Sequence, residues 1–396
     1  MLNCILYATL FLEVHTIFRK LKIRPIRAIG YILFLMFFYV GIILDGASYN
    51  ILAMILMLAG SINLMDSRSS KKKVIPQGIL MFLIFYTKQN IGVYYIISVI
   101  TYELILNRHK KGTIWNLVKM GAVAAGLLMG SIIVMNYLGI LSGFINYAIL
   151  GIKEFKENLF AEKAWLFIIL ALVWVFDVWG VIAHHTTKNM FSRKKKILLI
   201  FTIANILTIY PFANEYHIKY AFFITILLAI YFFDKIVAKT AFSAKMMDKI
   251  IVIITTIGFF VTVNQVNMQC FDQVYIINGY ETIEGYGINK ELYDNLIRYE
   301  KYLETTDNKV LCLSKYSNFY SVIYKDFNGK FDILNLGNFG VEGEKGLIKE
   351  IEDMEDTEFV LYQEYNTQEP YELRKFIKEN YKLKHRDIGF EVYHND

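Results

Sequence analysis

The stretch VIPQGILMFLIFYTKQNIGVYYIISVITYELIL, Val74 to Leu106, decides how the rest of the chain is read. Its 33 residues make about 50 Å of helix, longer than the roughly 30 Å hydrocarbon core of a bilayer but short of two full crossings. Both flanks are basic, with Lys71-Lys72-Lys73 before and Arg108, Lys110 and Lys111 after. Basic flanks of membrane spans collect on the cytoplasmic side, so a single crossing would strand one cluster on the wrong face. The pattern therefore predicts two crossings that turn at Thr87-Lys88-Gln89-Asn90.

Working outward, apolar runs long enough to span occur at Leu2–Phe18, Ala28–Leu44, Ile51–Met65, Leu117–Leu138, Ala164–Ala183, Ile197–Tyr210, Ile218–Phe233 and Ile250–Val266. With the doubled run they give ten spans, an all-α polytopic membrane domain. Ten spans also place 22 of the 27 Lys and Arg residues before residue 270 on one side. A composition of 55% hydrophobic and only 20% charged residues, with mean hydropathy +0.38, agrees with a membrane protein. The opening MLNCILYATLFLEVHTIF has no basic lead and no small-residue cleavage site, so it reads as a span and not a signal peptide.

Charge divides the chain. Residues 1–269 carry a net +16 and residues 270–396 a net −10, which predicts a membrane domain over 1–266 and a soluble domain over 267–396. Three cysteines make neither a disulfide framework nor a metal cluster. The tail reads as α/β: helices at Asn289–Leu303 and Tyr371–Asn380, strands at Lys309–Leu313, Phe331–Leu336, Glu358–Tyr362 and Phe390–Tyr393, and an acidic glycine-punctuated loop at NLGNFGVEGEKG. Span parity predicts that this domain is extracytoplasmic.

The same topology leaves several polar groups on the outer face: Asp45, Tyr49, Asn50, Lys88, Gln89, Asn90 and the YPFANEYHIKY hinge with Glu215, His217 and Lys219. The two legs around Lys88 are short, which predicts a cation recessed below the membrane surface. A recessed cation beside amides and carboxylates suits a phosphate-bearing lipid whose tail stays in the bilayer. Leu141–Lys163 reads as an amphipathic helix at the outer interface. Asp177, within an apolar run, reads as structural, paired with a neighbouring span, His184 or His185. Walker A, H-E-x-x-H, G-x-S-x-G and C-x-x-C motifs are absent, and nothing signals a metal or a nucleic-acid partner.

DGASYNILAMILMLAG (45–60), TKQNIGVYY (87–95), YPFANEYHIKYAF (210–222) and the ending FIKENYKLKHRDIGFEVYHN (376–395) together resemble integral membrane glycosyltransferases of the GT-C fold. The resemblance covers most of the chain. It implies an inverting transfer of sugar from a polyprenyl-phosphate-linked donor to a glycan, lipid or protein acceptor of the cell envelope, in the cell membrane. By position it implies Lys88 and Lys219 for the lipid phosphate, with Tyr49, Asn50, Gln89, Asn90 and His217 lining the substrate cavity. Asp45 and Glu215 are the catalytic carboxylate candidates. The family's base normally lies in a long outer loop after the first span, which is not visible here, so the resemblance also predicts an N-terminally shortened chain of little activity; the competing expectation is an outward start with Asp45 or Glu215 as the base. Two other classes fit the topology: a transporter or flippase of lipid-linked glycans, and a non-catalytic envelope scaffold.

Overall fold

Inside a bilayer no water satisfies backbone N–H and C=O groups, so long apolar runs fold as helices, which bond internally. The computed structural model describes residues 2–38, 49–66, 70–109, 112–150, 164–186, 193–207, 215–238, 244–271, 274–277, 279–280, 284, 287–314, 317–332, 334, 339–362 and 370–394. Among these, apart from the short helical stretch Leu141–Leu150, ten helices precede residue 272: α1 Leu2–Lys20, α2 Pro25–Phe38, α3 Tyr49–Met65, α4 Ser70–Thr87, α5 Gln89–Leu106, α6 Thr113–Tyr137, α7 Ala164–Thr186, α8 Arg193–Leu207, α9 Glu215–Val237 and α10 Ala244–Phe271. Three helical segments are long and apolar enough to cross a membrane, Gln89–Leu106, Thr113–Tyr137 and Tyr220–Val237.

The chain divides into two units, residues 1–134 with 157–264 and residues 135–156 with 265–396. Charge placed the boundary after residue 266; contacts place it after 264 and add 135–156 to the second unit.

In the first unit α4 and α5 form a helical hairpin broken at Lys88, inside the turn that the basic flanks predicted. Gly92 permits the close approach, because a Cβ there would lie 2.3 Å from the Cα of Phe85. Helices α5 and α8 run antiparallel, since Tyr95 meets Phe201 at 5.5 Å and Arg193 lies 5.3 Å from the ring of Tyr102. Asn205 then ties α8 to α9 by donating to the carbonyls of Tyr220 (3.0 Å) and Ala221 (2.7 Å). The ends of the unit differ in chemistry. At the end away from Lys88, Lys20 pairs with Asp66, Lys73 donates to the Leu64 carbonyl at 2.9 Å, and buried Arg27 joins Asp234 (3.1 Å) and Asp248. Three acids, Asp66, Asp234 and Asp248, thus pair with basic residues at this end.

The second unit holds a sheet of order β3-β4-β6-β5, where β3 is Lys309–Leu313, β4 Thr357–Tyr362, β5 Lys382–Asp387 and β6 Phe390–His394. Strands β3 and β4 are parallel and the other pairs antiparallel. A separate small hairpin pairs β1 Val274–Ile276 with β2 Gly287–Asn289. Because successive side chains of a strand point to opposite faces, Val360 and Tyr362 pack with α11 (Lys290–Leu303) and α12 (Ser317–Tyr324). Phe359 and Leu361 pack instead with α13 (Gly343–Glu352) and α14 (Tyr371–Asn380). Helices therefore cover both faces of the sheet.

Two expectations for this region are corrected. Of the predicted strand Phe331–Leu336, residues 333, 335 and 336 lie outside the described residues, and Phe331 and Asp332 belong instead to a 3-10 turn at Gly329–Asp332, because Asp332 accepts from the Asn328 amide (3.0 Å) and from Ser321, closing the chain locally. Phe331 and Leu334 are still buried, which explains the misleading alternation. The predicted glycine-punctuated loop contains the start of a helix, α13, which buries Leu347 and Ile351. Of the predicted interfacial helix at Leu141–Lys163, residues 151–163 lie outside the described residues. Phe144–Leu150 is a π-helical turn, and Asn146 accepts from the Val341 amide at 2.8 Å. Gly340, at φ +77°, leaves room for that side chain.

Glu358, fully buried on β4, organises this unit. Burial alone would raise its pKa, but hydrogen bonds from Lys384, Tyr302, Asn308 (2.8 Å) and Thr306 (3.0 Å) outweigh burial and bring it to about 2. A carboxylate held below its unfolded value contributes stability above that value and loses it as pH falls through the folded one. The contribution is therefore lost between about pH 4.5 and about pH 2. We expect it to be worth roughly 2–3 kcal/mol, allowing for solvent around Lys384. Tyrosine near-ultraviolet dichroism should show an acid transition in that window, which Glu358→Gln removes while lowering stability at neutral pH. An acid transition unchanged by the substitution would contradict this assignment.

Candidate functional site

Lys88 is the single extended residue between two helices, at φ −155° and ψ 110°. The break leaves no backbone group stranded there, for its amide donates to Ile84 (2.8 Å) and its carbonyl accepts from Gly92 (2.9 Å). The hairpin thus turns within one residue and carries the lysine side chain at its tip.

That side chain is half-buried. Its ammonium donates to Oδ1 of buried Asn50 and sits 5.3 Å from the ring centroid of Tyr49, so the first turn of α3 forms the wall beside it. Gln89 and Asn90 follow on the first turn of α5, where the Asn90 side chain accepts from the Ile91 amide at 2.8 Å. Among the described residues no carboxylate pairs with Lys88. An amide and an aromatic face orient the cation but leave its charge uncompensated, and an anionic group would complete the site.

The structure thus brings together Tyr49, Asn50, Lys88, Gln89 and Asn90. Glu215, His217 and Lys219 lie on the first two turns of α9, since the helix begins at Glu215 and not after the hinge. Antiparallel packing of α5 on α8, and the Asn205 bonds to Tyr220 and Ala221, put that start at the Lys88 end of the unit. The side chains of these three residues, and the whole of Asp45, lie outside the described residues. No group of three His, Cys, Asp or Glu that could hold a metal occurs among the described residues.

Asp177 is buried on α7, and among the described residues neither of its carboxylate oxygens has a hydrogen-bond partner, so no described neighbouring span supplies the expected pairing. The side chains of His184 and His185 lie outside the described residues. Close packing beside it accompanies this burial: Gly180, three residues on, lets the Phe232 ring of α9 approach so closely that a Cβ would lie 2.6 Å from it.

A polar cluster deeper in the hairpin escaped the sequence reading. Asn63 donates to Gln77 at 2.9 Å, Gln77 donates to the Tyr95 hydroxyl, and that hydroxyl fills the space left by Gly60. The available signal was the pair of amides, Asn63 and Gln77, within otherwise apolar runs. Comparison with protein-family models, curated proteins and solved structures finds no match.

Proposed function

We propose that this chain is an integral membrane glycosyltransferase of the GT-C type. It takes sugar from a polyprenyl-phosphate-linked donor and passes it to a cell-envelope acceptor on the outer face. The observation that carries the reading is Lys88, a cation held at the tip of a one-residue helical turn, oriented by Asn50 and Tyr49 and without a carboxylate partner among the described residues. Such a group suits the phosphate of a lipid donor, because the ammonium offers three donors and a full charge beside an apolar wall.

In this reading the ten helices are ten spans. The Lys88 end faces outward, the paired basic end faces the cytoplasm, and residues 267–396 form an extracytoplasmic domain. Lys219 assists with the phosphate, His217, Gln89 and Asn90 line the cavity, and Asp45 or Glu215 takes the acceptor proton. Deprotonating the acceptor hydroxyl strengthens its attack on the anomeric carbon while cations stabilise the departing phosphate.

One observation favours a second reading, transport of a lipid-linked glycan. A buried carboxyl on an apolar helix, such as Asp177, which has no hydrogen-bond partner among the described residues, is the kind of group that proton-coupled carriers use. Purified chain in liposomes, supplied with polyprenyl-phosphate sugar and mixed acceptor glycans, separates the two. Transfer supports the enzyme; translocation of the donor without transfer supports the carrier.

A further inference from the structure

The second unit contains a cleft of about 150 Å³ where α11 and α12 lean over the edge strand β3. Its aromatic wall is Tyr299, Tyr320 and Tyr324, with ring centroids 4.9 Å apart for the first pair and 5.7 Å for Tyr299 and Tyr324. Asn308, Asp326 and Asn328 supply the polar rim. The rim is preorganised: Asp332 accepts from Ser321 and from the Asn328 amide, fixing the segment after α12, and the Glu358 carboxylate fixes the Asn308 side chain at 2.8 Å.

The hydroxyls here are unequal. Those of Tyr320 and Tyr362 satisfy each other at 2.7 Å. The buried Tyr324 hydroxyl has no hydrogen-bond partner among the described residues. The Glu300 carboxylate and the Tyr280 hydroxyl lie near enough to act on it electrostatically. A buried hydroxyl without a partner is unfavourable by about 1–3 kcal/mol, so an occupant that bonds to it removes a penalty as well as adding a contact.

The lining selects the occupant's chemistry. No lysine or arginine lines the cleft, which disfavours phosphate and sets it apart from the Lys88 site. Aromatic faces suit the C–H face of a sugar ring, while amide, carboxylate and phenol groups match its hydroxyls, which both donate and accept. The volume is small against the 300–1,000 Å³ typical of drug-sized ligands and admits about one ring.

We propose that this cleft binds one neutral monosaccharide unit and that the unit belongs to the acceptor glycan. The second half of the proposal rests on the glycosyltransferase reading; the first does not. The test uses the full-length chain in nanodiscs and saturation-transfer NMR with glucose, galactose, N-acetylglucosamine and rhamnose, and with glucose 1-phosphate as the anionic control. At least one neutral sugar should bind, unaffected by Lys88→Gln. Tyr324→Phe removes the hydroxyl from the cleft wall while keeping the ring, and should weaken binding about three- to tenfold. Val310→Phe, which fills the cleft floor, should abolish it. No binding by any neutral sugar, or binding undiminished in both variants, would overturn the cleft. Preferred binding of the sugar phosphate would do the same. Sugar binding in a chain that transfers no sugar would uphold the cleft and overturn its acceptor role, whereas failure of the cleft leaves transfer at the Lys88 site untouched.

Discussion

Gly92→Leu is expected to open the α4–α5 hairpin and lower stability by about 3 kcal/mol or more, the upper range for overpacking. The added Cβ would meet the Cα of Phe85 at 2.3 Å and its amide nitrogen at 2.7 Å. Both are backbone atoms, so no rotamer change relieves the contact and the two helices must separate. Gly126 on α6 provides the control, because a Cβ there meets nothing within 4 Å. Thermal unfolding of the purified chain should show a large fall for Gly92→Leu and little change for Gly126→Leu. Equal behaviour of the two would mean that the hairpin is not closed as described. Opening the hairpin also withdraws Lys88 from Asn50, so substrate binding should fail with stability.

Lys88→Gln is expected to weaken donor binding roughly 10- to 100-fold with the fold intact. Glutamine keeps an N–H donor for Asn50, so the α4–α5 tip retains its bond to α3 while the charge is lost. A charge-assisted bond to phosphate contributes about 1.5–3 kcal/mol, which sets that range. Lys88→Arg should recover part of the affinity, since charge is kept but the ammonium's compact fit beside Tyr49 is not. Titration with a soluble short-chain polyprenyl phosphate reads the effect directly. Undiminished affinity in Lys88→Gln would remove Lys88 from the donor site.

What the sequence revealed of this molecule follows from where the signal is local. The hairpin was legible because charge on both flanks of one apolar run leaves a single consistent arrangement, and the helix break falls at Lys88 itself. Helices α11 and α14 were legible because each buries one apolar face, and strands β3, β4 and β6 because short apolar runs mark strands buried on both faces. Strand β5 was not: KLKHRD is exposed along nearly its whole length at the sheet edge and has no apolar alternation. Its place is set by pairing with β6. The turn at Gly329–Asp332 was hidden for the opposite reason, since an apolar alternation there is overridden by the side-chain bonds of Asp332. The tyrosine cleft joins residues from α11, β3 and α12, so only the fold brings it together. The burial of Asp177 likewise depends on packing across helices, which spacing along one chain does not report.

The central claim is that the cation at the hairpin tip serves sugar transfer from a lipid phosphate. Its most direct test is transfer of radiolabelled sugar from polyprenyl-phosphate donor to a cell-envelope glycan by the purified chain in liposomes, with Lys88→Gln run in parallel. The account predicts labelled product from the parent chain, and a 10- to 100-fold lower rate at subsaturating donor for the variant. Equal rates from the two, or donor translocation with no labelled product, would contradict it.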